Sequence, residues 1–140
     1  SNRRLLCAAP AYLERCGTPR VPNDLARHSC IGIRQGADGY GIWHLKSGAR
    51  SETVKVRGPL STNDGEIAVD WALEGHGIIM RAEWNIARYL DSGRLRQVLP
   101  NWETPPADIY AVYPHQLQTA ARVRAFVDFV ADAFAAATPA

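Results

Sequence analysis

The sequence predicts an α/β domain in which a mixed or parallel sheet is flanked by helices, and three observations carry that prediction. Short apolar runs alternate along the chain with segments that bear helix start and stop signals, the pattern produced when helices pack on a sheet. The run Ile78, Ile79, Met80 is apolar at consecutive positions, as a central parallel strand covered on both faces requires. A chain of 140 residues, 46% apolar and 21% charged, is long enough to close the core of one domain or of two small lobes.

Residues 4–8 form an apolar run that feeds a helix over 10–16, with Pro10 at the first helical position and Gly17 just past the end. Val21, Pro22, Asn23 and Asp24 start one or two further helical turns, ending at Arg27. A short strand over 30–33 leads into an exposed loop, because residues 35–41 hold three glycines and an Asp. Strands follow over 42–46 and 51–56, joined by a turn at Ser47 and Gly48. The second alternates Thr53, Val54, Lys55, Val56 with the two-residue period of a half-buried strand.

Asn63 with Glu66 three residues later has the capping-box pattern and opens a helix over 64–74. Glu66, Asp70 and Glu74 form an acidic stripe on it, and Ile67, Ala68, Val69, Trp71, Ala72 and Leu73 cover the rest, so it should be buried around most of its circumference. Gly75 and Gly77 close it before the strand 78–80. A helix over 82–90 stops at Ser92 and Gly93, and a strand follows over 95–99. Pro100, Pro105 and Pro106 bracket a stiff linker, residues 109–113 are strand-like, and 119–136 is the longest helix. In that helix Val123, Phe126, Val127, Val130 and Phe134 recur at helical spacing.

Composition narrows the function. A formal charge of +2 from 16 basic and 14 acidic residues gives no surface that could track phosphates, so this segment is not expected to bind nucleic acid. No apolar run approaches the roughly 20 residues of a membrane span, and no basic segment with an apolar stretch opens the chain. The expectation is a soluble, cytoplasmic protein without membrane contact. Cys7, Cys16 and Cys30 are odd in number and lack CxxC spacing, which argues against disulfides and zinc.

His28, His44, His76 and His115 are scattered without ligand spacing, so no metal and no cofactor is expected. Cys7 with a histidine base could act as a nucleophile, but within an apolar strand it reads better as a small buried hydrophobe, and no GxSxG or HExxH motif is present. His76 between two glycines precedes a strand, which disqualifies the segment as a nucleotide-binding turn. Catalysis is therefore not expected.

A small-molecule site is better supported. The N-terminus of the 64–74 helix offers unpaired amides and the positive end of the helix dipole to an anion, and Ser61, Thr62 and Asn63 lie there. Helix cap and ligand contact are equally good readings of Asn63. Ligands also collect beyond the C-terminal ends of parallel strands, which adds Arg34 after Ile33 and Met80 with Arg81. One of the two arginines is expected to touch ligand.

Four segments occur in order: RRLLCAAPAYLERCGTPRVPNDLARHSCI at 3–31, LSTNDGEIAVDWALEGHGIIM at 60–80, LDSGRLRQVLPNW at 90–102 and IYAVYPHQLQTAARVRAFVDFV at 109–130. Together they resemble the effector-binding domain of LysR-type transcriptional regulators. The resemblance implies a periplasmic-binding-protein type II-like fold of two α/β lobes, a small-molecule effector in the cleft between them, and two crossover strands as a hinge. It implies that residues 4–105 are the second lobe with its entry strand, and that 106–136 are the return strand and last helix, belonging to the first lobe. Leu6, Cys7, Ala107 and Ile109 then fall at the hinge, and Ala8 joins the candidate effector contacts.

The family's N-terminal winged helix-turn-helix and the opening half of the first lobe have no counterpart in the chain, so DNA would be reached only through that N-terminal domain. Where the family usually continues its Gly-Ile strand with Leu-Pro, this sequence has Met80, Arg81, Ala82; the more basic edge tilts the expectation toward an anionic effector. Binding would bias the hinge between two arrangements. A solute-binding protein or a small α/β enzyme on the same architecture is the rival reading, since fold alone does not fix function. The apolar face Val123, Phe126, Val127, Val130 needs cover, which makes a homo-oligomer the expected state.

Overall fold

The computed structural model describes residues 3–34, 41–105 and 121–137. In chain order its elements are β1 (Arg4–Ala8), α1 (Pro10–Cys16), a 3-10 helix (Pro22–Arg27), β2 (Gly32–Ile33), β3 (Ile42–Ser47), β4 (Arg50–Lys55), β5 (Ser61–Thr62), α2 (Gly65–Leu73), β6 (Ile79–Ala82), α3 (Glu83–Asp91), β7 (Arg96–Val98) and α4 (Ala121–Ala137). The expected loop over 35–40, the strand over 109–113 and the hinge positions Ala107 and Ile109 lie outside the described residues.

β1 is the middle strand of an antiparallel trio, β6-β1-β7. Leu5 faces Arg81 and Leu6 faces Met80 across one pairing, while Leu6 faces Val98 and Ala8 faces Arg96 across the other. On the far side of β6 the sense changes: Cys30 bridges Ile78 in parallel, and β2 pairs in parallel with β5. The pairing thus runs β7, β1, β6, β2, β5 and is mixed. The expectation of a parallel setting for Ile78–Met80 holds at Ile78 alone, because β1 takes the other edge in the opposite sense.

Covering on both faces is what the apolar run reported. Leu6, Ala8 and Ile78 point into a core with Tyr12, Leu13, Leu25, Leu45 and Val54, under α1, the 3-10 helix and the β3–β4 hairpin. Leu5, Cys7 and Ile79 point the other way, into a second core with Ala68, Val69, Ala72 and Ile86 from α2 and α3. Neighbouring strand residues thus serve opposite cores, and burying each aliphatic side chain contributes about 1.5–3 kcal/mol. The hairpin is joined to the rest by a two-way bond between Lys46 and Glu103, with amide-to-carbonyl distances of 2.9 and 2.6 Å.

α1 starts and stops where Pro10 and Gly17 place its ends, with Gly17 at φ 85° donating its amide to Leu13. α2 is less enclosed than its composition suggested. Ala68, Val69 and Ala72 are buried, yet Ile67 is 40% exposed, because one layer of sheet covers one side of the helix and nothing described covers the other. On α4, Phe126 and Phe129 are exposed, whereas Val127 and Val130 are half-buried.

The start of β1 and the segment after β7 are stitched together. The Thr104 hydroxyl donates to the Arg4 carbonyl at 2.7 Å, and Arg4 Nε donates to the Pro105 carbonyl at 3.1 Å.

Candidate functional site

Because β2 and β5 are parallel, and Ile78 runs parallel to Cys30, the chain leaves all three strands at one edge of the sheet. Arg34 follows β2 there, Asn63 follows β5, and Arg81 lies toward the end of β6. The Arg34 amide donates to the Thr62 carbonyl at 2.8 Å, continuing the ladder past Ile33 and Thr62. Thr62 is buried and its Oγ1 accepts the Asp64 amide at 3.0 Å, which turns the backbone into α2.

The cap of α2 is Asp64, whose Oδ1 accepts the Glu66 amide at 2.9 Å. The expected capping box on Asn63 is therefore not formed. The tertiary pairing of Thr62 sets where the strand stops, and the next residue but one, an equally good cap, falls in place. Asn63 is left exposed, and its side chain makes no hydrogen bond among the described residues.

Arg81 reaches from β6 across to the start of α2. Its Nε donates to Asn85 Oδ1 at 2.9 Å, Asn85 Nδ2 donates to Glu66 Oε1 at 2.9 Å, and Arg81 Nη2 lies 3.6 Å from that same oxygen. The guanidinium packs so closely on Gly65 that any side chain there would overlap it. With 18% of its side chain exposed, Arg81 is held in place with a fixed cation over the positive end of a helix. Asp64 and Glu66 offset part of that charge.

The structure thus gathers Ser61, Thr62, Asn63, Arg34 and Arg81 at one edge, with half-buried Met80 beneath them in the core. It does not bring Ala8 there. Ala8 is fully buried at the opposite end of β1, facing Arg96. Leu6 and Cys7 sit in mid-strand, paired on both sides. Sequence reasoning missed Asp64, Gly65 and Asn85; the Asp-Gly pair beside the helix start was the available signal.

Elsewhere the reactive groups are held quiet. Burial pushes the Cys7 and Cys30 thiols up to about 12, so neither is a thiolate near neutrality, and Cys16 is the exposed cysteine. Tyr12 Oη accepts the Ser29 amide at 3.0 Å and shares a hydrogen bond with His28 Nδ1, 2.8 Å away. Among the described residues no group of three His, Cys, Asp or Glu could hold a metal ion, and no helix is long and apolar enough to cross a membrane.

The family profile for the LysR substrate binding domain matches residues 1–135. This chain belongs to that family. Among relatives of this chain, the HTH-type transcriptional activator TtdR of Escherichia coli K12 is 44% identical over 130 residues, which are 93% of this chain and 42% of TtdR. The full-length Vibrio cholerae virulence activator AphB superposes with a TM-score of 0.76 at 27% identity, over 92% of this chain and 44% of AphB. The regulatory domain of AphB from Vibrio vulnificus gives 0.72 at 26% identity, over 94% of this chain and 64% of that domain. This chain has the periplasmic-binding-protein type II-like α/β fold of these regulatory domains. It spans less than half the length of TtdR, and its relatives are transcriptional regulators, not enzymes.

Proposed function

We propose that this chain is the effector-sensing part of a LysR-type transcriptional regulator, and that it takes an anionic effector at the α2 edge. One observation carries the anionic reading: the Arg81 guanidinium is fixed on Gly65 at the N-terminus of α2, so a cation and the positive end of a helix converge where solvent can reach them. A carboxylate on this edge would meet Arg81 and the α2 amides. The Ser61 hydroxyl and Asn63 amide stand exposed beside them, without a hydrogen-bond partner among the described residues.

In this reading residues 4–105 form the second lobe and 106–136 return to the first, which closes over the edge when effector binds. The chain matches 64% of the AphB regulatory domain, in keeping with a further portion of the domain in the complete regulator. Phe126 and Phe129 of α4, 67% and 71% exposed, offer that portion an apolar surface; without it, the same surface favours self-association. Contact with DNA belongs to a separate winged helix-turn-helix, in keeping with the HTH-type description of TtdR, and the regulator works in the cytoplasm beside its DNA.

A melting-shift series over small mono- and dicarboxylates and their neutral amides, on the complete regulator and its Arg81→Met variant, tests this. Carboxylates at a hundredfold excess over Kd should stabilise by about 2.7 kcal/mol, the amides should not, and Arg81→Met should weaken the effect at least tenfold. Stabilisation by neutral compounds alone, or an undiminished carboxylate effect in Arg81→Met, would overturn it.

A further inference from the structure

The turn after β7 carries a second constellation, on the other side of β1 from β6 and the α2 edge. Leu99 is 4% exposed and has φ 51°, a left-handed conformation that costs a branched aliphatic residue about 1–2 kcal/mol and persists where its surroundings impose it. The Trp102 amide donates to the Leu99 carbonyl at 3.0 Å and closes the turn, and the Arg50 guanidinium lies 5.4 Å from the Trp102 ring centre. This braced turn is one wall of a cleft of about 420 Å³, and the segment after α1 is the other.

Thr18, Arg20, Gln97 and Asn101 line the cleft, and none of their side chains has a hydrogen bond or ion pair among the described residues. Arg20 is the one charged residue in the lining, and the Trp102 ring is its largest apolar surface. Four exposed polar side chains, one of them the cationic Arg20 fork, and an aromatic wall line the cleft, whose volume is that of a small-molecule pocket. We propose that this cleft binds a small organic carboxylate with a planar apolar body. The Arg20 fork takes the carboxylate, Thr18, Gln97 and Asn101 complete its hydrogen bonds, and the body stacks on Trp102. Three residues beyond Trp102 comes Pro105, tied to Arg4, so occupancy bears on the point where β1 begins.

Sodium benzoate is a suitable probe, titrated into the ¹⁵N-labelled chain while the indole N–H signals of its four tryptophans are followed, with Trp102→Phe assigning the one that matters. The expected result is a saturable shift of the Trp102 signal in the wild type and in Arg81→Met alike, weakened at least tenfold in Arg20→Met. Arg20 is exposed, so that substitution leaves the fold intact. No saturable shift in the wild type, or equal titration in Arg20→Met, overturns the proposal. A shift lost in Arg81→Met and kept in Arg20→Met also overturns it, and assigns benzoate to the α2 edge.

Discussion

Replacing Gly65 with Ala separates the binding role of the α2 edge from its structural role. The new Cβ would occupy the place of the Arg81 guanidinium, which sits at the free end of a flexible side chain and can swing away. Gly65 does not have a left-handed φ, so Ala fits the backbone, and the exchange gains up to about 1 kcal/mol of helix propensity. Displacing Arg81 forfeits its hydrogen bond to Asn85, worth about 0.5–1.5 kcal/mol, and a 3.6 Å pairing with Glu66, whose side chain is 65% exposed and which therefore contributes about 0–1 kcal/mol. The two sides nearly cancel. Urea denaturation should place Gly65→Ala within about 1 kcal/mol of the wild type, while anion binding, followed by melting shift, falls at least tenfold, or about 1.4 kcal/mol. A Gly65→Ala variant that keeps both its stability and its anion affinity would refute the claim that a guanidinium seated on Gly65 makes the site.

Further outcomes follow from the same geometry. Asp64→Ala should cost about 1 kcal/mol by urea denaturation and Asn63→Ala close to nothing, the reverse of what a cap at Asn63 would give. Desolvation holds His28 below its ordinary value of 6.5, with Asp24 opposing and Arg27 assisting, so the unfolded chain takes up the proton first as pH falls. Stability from His28 is therefore fully present above pH 6.5 and is lost as pH falls through the lower folded value; denaturation midpoints between about pH 5 and 8 should show a slope that His28→Gln removes. Thiol titration of the folded chain should count one fast-reacting cysteine, Cys16, with Cys7 and Cys30 reacting after denaturant is added.

What the sequence disclosed was local. Pro10 and Gly17 bound α1 because each acts on its own backbone, and Ile78 with Ile79 announced two cores because adjacent strand residues point apart. The α2 cap was not legible: Asn63 and Asp64 are both good caps, and the choice between them rests on Thr62 pairing with Ile33, 29 positions earlier in the numbering. Glu66, which a capping box would turn back to the helix start, is instead engaged by Asn85 and Arg81. Ala8 could not be placed because the sense of β1 relative to β6 is a tertiary fact. Arg81 could be singled out as a departure from the family's usual Leu-Pro, but its seat on Gly65 depends on β6 and the start of α2 meeting, which no spacing reveals.

The two bonds between Arg4 and the Thr104–Pro105 segment have a mechanical meaning. If residues 4–105 are one lobe, as proposed, these bonds bring its incoming and outgoing chain to a single knot, so a pull or twist applied from outside would arrive at one pivot without prying the strands of the sheet apart. On the proposed two-lobe reading, everything between residues 4 and 105 would then swivel as one piece, and a tremor at the knot would be felt by the whole body at once.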